Sequence, residues 1–294
     1  MLQASRYVRL EAYKLFTKFD ADGLNRTEKR DIRIIVSLTS YPARIKLVPY
    51  TIVSMLNQTV KPDKIILWLG EDQFPDRKLP KVFDKLRACG VDIEFREDIG
   101  PHTKYFYAMQ EYPEDIIITV DDDWVYDSNI VEKLYKSYMI NPECVSAIRF
   151  HKIKFLPNGR PDKHDNWYLE YTNALGTKSQ SYFACGVGGV LYPPNSLHKE
   201  AFNVEAIRKL CPKADDVWLK IMETMNNTKV AGASNTGTIP GWVLVGSQAT
   251  GLWHFNCTEG QNDIQREAVL DAYNTYPEVE TLTERMQGEA DGVE

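Results

Sequence analysis

Between residues 31 and 150 the chain alternates short apolar runs with amphipathic stretches. Ile32–Leu38 (IRIIVSL) is apolar and β-branched, which predicts a buried strand. Val48–Leu56 has the spacing of a helix, Lys64–Leu69 (KIILWL) of a second strand and Val82–Cys89 of a helix. Val91–Phe95 reads as a third strand, Lys104–Met109 as a helix and Asp115–Val120 (DIIITV) as a fourth strand. Asn129–Met139 then reads as a helix and Cys144–Phe150 as a fifth strand. Strands alternating with helices in this way imply an α/β fold of the Rossmann type: one mostly parallel sheet with helices on both faces.

After Phe150 the rhythm breaks. Residues 156–181 are polar and aromatic with few periodic signals, and the glycine-bearing stretch Gly186–Pro194 follows. Helices are expected near 199–210, 215–225 and 261–274, with a Gly-rich stretch over 232–251 and an acidic, frayed tail after Glu278. Residues 2–19 carry apolar Tyr7, Val8, Leu10, Tyr13, Leu15, Phe16 and Phe19 among basic Arg6, Arg9, Lys14 and Lys18. That pattern fits an amphipathic helix, either packed on the main domain or lying on a membrane surface. Asp20-Ala21-Asp22-Gly23 lacks the oxygen ligand and glycine that an EF-hand loop needs next, because Leu24 and Asn25 follow, so it reads as a polar linker. The expected organisation is a helix and linker over 1–30, one domain over 31–278 with halves 31–150 and 151–278, and a tail over 279–294.

The 294 residues carry a net charge of −6, which disfavours nucleic acid as a partner. Apolar residues make up 43%, enough for a sizeable core. The five cysteines are dispersed and form no CxxC pair, which fits a reducing compartment rather than a disulfide framework. No signal peptide or bilayer-spanning run is evident, so a cytoplasmic location is expected, with peripheral contact at the inner membrane face through residues 1–19.

Asp121-Asp122-Asp123 follows the predicted fourth strand directly. Ligands of open parallel sheets bind beyond the carboxyl ends of strands, and adjacent carboxylates there attract a cation. If the segment is extended, Asp121 and Asp123 share one side and Asp122 faces another. Two carboxylates with open positions suit Mg²⁺ or Mn²⁺, which complete their shells with water and phosphate oxygens. Such an ion stabilises the charge that develops when a sugar–diphosphate bond breaks.

With these residues in place the chain resembles bacterial glycosyltransferases of the GT-A fold, in particular those of capsule and surface-polysaccharide synthesis. The resemblance spans about residues 31–270. It is carried by Ser37–Arg44 after the first strand, Ile66–Leu69, Lys104, the triplet at the place of a DxD motif, and Ala214-Asp215-Asp216-Val217-Trp218 at the place of an xED motif. It implies that Ser37, Thr39, Ser40, Arg44, Asp98, Lys104, Asp121 and Asp122 surround a nucleotide-sugar donor, a UDP-sugar by analogy. It also implies that Asp121 and Asp123 bind the metal. Independently, Asp98–Lys104 reads as a turn into a helix, and a helix N-terminus beside a lysine favours anions.

An inverting transfer needs a base for the acceptor hydroxyl. Asp216 stands at the motif's final acid, and Asp215 replaces the usual Glu, so both are candidates; helix N-capping is the local alternative for either. His254, in Trp253-His254-Phe255-Asn256, is a candidate third metal ligand. Gly188 and Gly189 are expected to let the backbone approach an acceptor saccharide, free or lipid-linked, with Trp242 stacking on it. Thr236–Gly241 is expected to be a mobile lid. The competing readings are a sugar-nucleotide nucleotidyltransferase, disfavoured by the absence of glycine in Ser37–Pro42, and a non-catalytic nucleotide-sugar-binding module.

Overall fold

The computed structural model describes residues 22–172, 174–244, 260–274 and 281–288. Its strands, in chain order, are β1 (Ile34–Ser40), β2 (Lys64–Gly70), β3 (Asp92–Arg96), β4 (Ile116–Thr119), β5 (Trp124–Tyr126), β6 (Val145–Ala147), β7 (Phe150–Lys152), β8 (Lys178–Ser179), β9 (Tyr182–Ala184), β10 (Val190–Tyr192), β11 (Val230–Gly232) and β12 (Gly241–Val243). The α-helices are α1 (Val48–Leu56), α2 (Val82–Ala88), α3 (Thr103–Glu111), α4 (Ile130–Ile140), α5 (Val204–Leu210), α6 (Asp215–Met225), α7 (Gln261–Tyr273) and α8 (Leu282–Gln287).

Eight strands form one sheet in the order β3-β2-β1-β4-β10-β6-β11-β8. The β3-β2-β1-β4 half is parallel, as the βα alternation requires, and β11 runs parallel to β6. β10 enters antiparallel between β4 and β6, and β8 closes the far edge antiparallel to β11. Alternation along β1 sorts the core into layers. Ile34, Val36 and Leu38 pack with Val48, Ile52, Phe83, Leu86, Ile130 and Leu134 from α1, α2 and α4. Ile35 faces the other way, with Ile66, Trp68, Ile117 and Ala108 of α3. A third layer joins β6 and β10 to α6, α7 and α8 through Val145, Val190, Trp218, Met222, Val269, Leu282 and Met286. Among the described residues no helix is long and apolar enough to cross a membrane.

Two expectations are corrected, and one strand was not foreseen. Cys144–Phe150 is not one strand: β6 ends at Ala147, and Phe150 begins β7, which leaves the main sheet to pair with β9. Trp124–Tyr126, which follows the acidic triplet, is a strand whose partner is β12, more than a hundred residues away, so no local hairpin signal marks it. The stretch 281–288 is not frayed. Thr281 accepts from the Glu284 amide while Glu284 accepts from the Thr281 amide, a capping box, and Leu282 and Met286 are buried. The helix expected over residues 2–19 lies outside the described residues.

One ion pair sits oddly in this core. Lys220 and Glu223, one turn apart on α6, are both fully buried with Nζ and Oε2 3.7 Å apart, and neither atom has a hydrogen-bond partner. Buried pairs without good geometry contribute little net stability, whereas removing one partner strands the other. Glu223→Leu alone is expected to lower unfolding free energy by about 3–5 kcal/mol in urea titration, and Lys220→Met/Glu223→Leu to restore it. A double variant as unstable as the single one would contradict this.

Candidate active site

The strand order turns back on itself between β1 and β4, and their carboxyl ends open a crevice of the kind where ligands bind in α/β sheets. The acidic triplet enters it as a turn between β4 and β5, not as an extended segment. Side-chain alternation applies only to extended backbone, so here the turn rather than alternation sets where the three carboxylates point. Asp121 turns to Lys104, while Asp122 and Asp123 both turn to Arg44.

Arg44 is the inner clamp. Its Nη1 donates to Asp122 Oδ1 at 2.5 Å and its Nη2 lies 3.0 Å from Asp123 Oδ2. Ser40 Oγ donates to Asp122 Oδ2 at 2.5 Å, and Thr51 Oγ1 donates to the Asp122 carbonyl at 3.0 Å. Burial alone would lower the guanidinium's pKa; Asp122 and Asp123 outweigh it and raise it. Ser40, Arg44 and Asp122, expected around the donor, are bonded to one another at the crevice. Ser37 is wholly buried. Its hydroxyl donates to the Lys104 carbonyl and accepts from Trp68 Nε1 at 2.8 Å, so it fastens α3 to the sheet. Thr39 Oγ1 donates to the Trp68 carbonyl at 3.0 Å from a half-buried position at the crevice. Asp98 accepts from the Gly100 amide at 2.9 Å and from Gln73 Nε2, which fixes the turn into α3.

The outer cluster centres on Lys104, in the first turn of α3. Its ammonium lies 2.8 Å from Asp121 Oδ1 and 2.8 Å from Asp215 Oδ2 and is buried. Burial opposes a charged amine here; Asp121, Asp215 and Asp216 overcome it and hold the group well above the usual lysine range. Asp215 and Asp216 open α6, where the helix dipole favours acids. The N-cap, however, is Ala214 with no side-chain cap, so neither aspartate is spent on capping. Asp216 Oδ2 instead accepts from the Gly186 amide at 3.0 Å. Burial first, then the neighbouring Asp215 charge, push the Asp216 carboxyl up to about 7. The adjacent His102 is driven down to about 4 by burial, which keeps it a neutral hydrogen-bonding group between Tyr105 and the Cys211 carbonyl.

The expected acceptor residues fare unevenly. A Cβ on Gly188 would meet Arg149 Cβ at 2.8 Å, and one on Gly189 would face Ile130 and Leu134, so both glycines pack closely against neighbouring elements. Gly186 is the glycine at the site: its Cβ would lie 2.8 Å from Asp216 Oδ1 and 3.1 Å from Lys104 Nζ. Trp242 lies on β12 opposite Val125, on the rim beside the triplet. The stretch expected to be a lid is tied at its end, where the Pro240 carbonyl accepts from Trp124 Nε1 at 3.2 Å. Tyr126, which the sequence did not single out, receives the Asp121 amide on its hydroxyl at 3.0 Å.

Among the described residues no three His, Cys or carboxylate side chains converge to hold a metal by themselves. His254 lies outside the described residues. The donor set nonetheless suits a hard cation completed by substrate: Asp121 is partly exposed, and its Oδ2 has no partner among the described residues. Mg²⁺ and Mn²⁺ are commonly held by one or two carboxylates plus phosphate oxygens rather than by an all-protein cage.

No protein-family model and no curated protein sequence matches the chain. Among solved structures it is similar to glucosyl-3-phosphoglycerate synthase from Mycobacterium tuberculosis in complex with Mn²⁺, UDP and glucosyl-3-phosphoglycerate, at 13% identity and a TM-score of 0.32. That match covers 42% of this chain and 49% of the other. Another structure of the M. tuberculosis synthase matches at 14% identity and TM-score 0.32 over 42% and 50% of the two chains. A structure described as a mycobacterial protein matches at 15%, with TM-score 0.32, over 42% and 45%. The chain thus aligns with half or less of each of these, and what its site can do is read from its own side chains.

Because Gly186 has no room for a side chain, Gly186→Ala is expected to cost about 1–3 kcal/mol by overpacking. Urea titration measures it; an unchanged midpoint would mean the contact relaxes freely.

Proposed function

We propose that this chain is a metal-dependent glycosyltransferase that moves a sugar from a nucleoside-diphosphate donor, a UDP-sugar by the sequence resemblance, to a saccharide hydroxyl. One observation carries the reading. Lys104 joins the acidic turn at the end of β4 to the paired aspartates that open α6, 2.8 Å from Asp121 and from Asp215, so a donor-side acid and the base candidates gather around one ammonium. A nucleotidyltransferase has no evident need for a carboxyl raised to about 7 in that position.

In this mechanism the acceptor oxygen attacks the anomeric carbon as the bond to the diphosphate oxygen breaks, its electron pair leaving with the diphosphate. The stereochemistry inverts. Asp216 takes the acceptor proton; its other oxygen is held by the Gly186 amide, so the carboxylate is already oriented. Asp215 is the less suited of the two, because its Oδ2 is committed to Lys104. Mn²⁺ or Mg²⁺, held by Asp121 and Asp123, would supply Lewis-acid stabilisation of the departing diphosphate. The acceptor class that the resemblance implies is a growing surface saccharide, free or lipid-linked.

Two outcomes are expected. A nucleotide-sugar screen read by nucleoside-diphosphate release with Mn²⁺ gives turnover that EDTA abolishes and Asp123→Ala reduces by at least about a hundredfold; undiminished metal-free turnover would refute the metal role. The base must be ionised to accept a proton, so kcat/KM rises with pH, tenfold per unit, and levels above about 7. Asp216→Asn is expected to lose about 10²–10⁴-fold and to flatten that limb, and an unchanged pH profile would exclude Asp216 as the base.

A further inference from the structure

The acidic character of the site poses a problem for an anionic substrate. Asp121, Asp122, Asp123, Asp215 and Asp216 face Lys104 and Arg44, and each of those cations is already shared between two carboxylates. A diphosphate entering beside Asp121 therefore needs a donor that is not already spent. Tyr126 has one. Its oxygen accepts from the Asp121 amide, and its proton finds no acceptor among the described residues. A phenol both accepts and donates, and an unspent proton on a buried hydroxyl calls for an explanation.

The placement is fixed from three sides. Tyr126 ends β5, its amide donates to Ser54 Oγ at 3.2 Å, and it pairs with Gly241 of β12. The bond from the Asp121 amide seats the hydroxyl at the base of the turn whose side chain reaches Lys104. An ordinary phenol is protonated at neutral pH and so able to donate.

Resting on the glycosyltransferase reading, we propose that the Tyr126 hydroxyl donates a hydrogen bond to a non-bridging oxygen of the departing diphosphate. It is a diphosphate-binding residue of the site, distinct from the metal ligands and the base. As negative charge grows on that oxygen the bond strengthens, so its loss lowers kcat more than it raises KM for the donor.

The test uses inorganic pyrophosphate as the probe, so that it does not depend on finding the right sugar. Isothermal titration of the full chain with Mn²⁺ present is expected to show pyrophosphate binding that Tyr126→Phe weakens roughly tenfold, with Mn²⁺ affinity in the absence of pyrophosphate unchanged. Equal pyrophosphate affinity in the two proteins would overturn the proposal, as would no binding by the wild type. A parallel loss of Mn²⁺ affinity would also overturn it, in favour of a role confined to holding the Asp121 turn. In case the variant folds poorly, 3-fluorotyrosine at position 126 keeps the hydroxyl. Its ¹⁹F resonance is expected to shift on addition of pyrophosphate with Mg²⁺, and an unmoved resonance counts against the contact. If pyrophosphate binding depends on Tyr126 but no nucleotide sugar is turned over, the proposal stands and the transferase reading falls.

Discussion

An ammonium group shut away from water must find its counter-charges inside the protein, and Lys104 finds them on two elements that have no other reason to meet. Asp121 belongs to the turn after β4 and Asp215 to the first turn of α6. Desolvation makes each of these charges costly alone, and their mutual attraction in a low-dielectric setting makes them inexpensive together. Apolar packing seats α6, the ion pairs with Lys104 align its first turn with the acidic turn, and burial together with Asp215 raises the proton affinity of Asp216 against the opposing pull of Lys104.

Arg44 does the complementary task one layer deeper. By holding Asp122 and Asp123 it prevents the three adjacent carboxylates from repelling one another apart, and Ser40 and Thr51 complete the clamp. The triplet is thus divided: its middle residue is structural, its first faces the opening, and its third lies between. A DxD-like string of letters does not reveal that division, because it depends on the turn the backbone makes.

The parallel half of the sheet was legible in the sequence because β1, β2 and β4 are continuous apolar runs buried on both faces, separated by amphipathic stretches. Lys104, Asp121 and Asp216, which the fold brings together, stood out in the sequence because each lies at the start of a helix or just after a strand. Other positions could not be read from the sequence alone, for physical reasons. Ser37, Ser40 and Arg44 are polar residues at a strand end, and the same polarity serves an internal hydrogen bond as well as a ligand. Gly188 and Gly189 look more conspicuous as a pair than Gly186, yet only three-dimensional proximity shows which glycine meets the carboxylate. β5 pairs with a strand far away in the chain, so nothing local announced it or Tyr126.

That distant pairing also bears on how the protein is made. β1 to β4 and their helices form a contiguous stretch, whereas α6 and β12 arrive more than ninety residues later. Loop closure across such separations is slow, and chains emerging from the ribosome fold from the N-terminal side. During synthesis the parallel half therefore precedes α6, and Lys104 has Asp121 as a partner before Asp215 is available. The ion pair between Lys104 and Asp215 can form only after the later half of the chain has been made, so the site is the last part of the domain to be assembled.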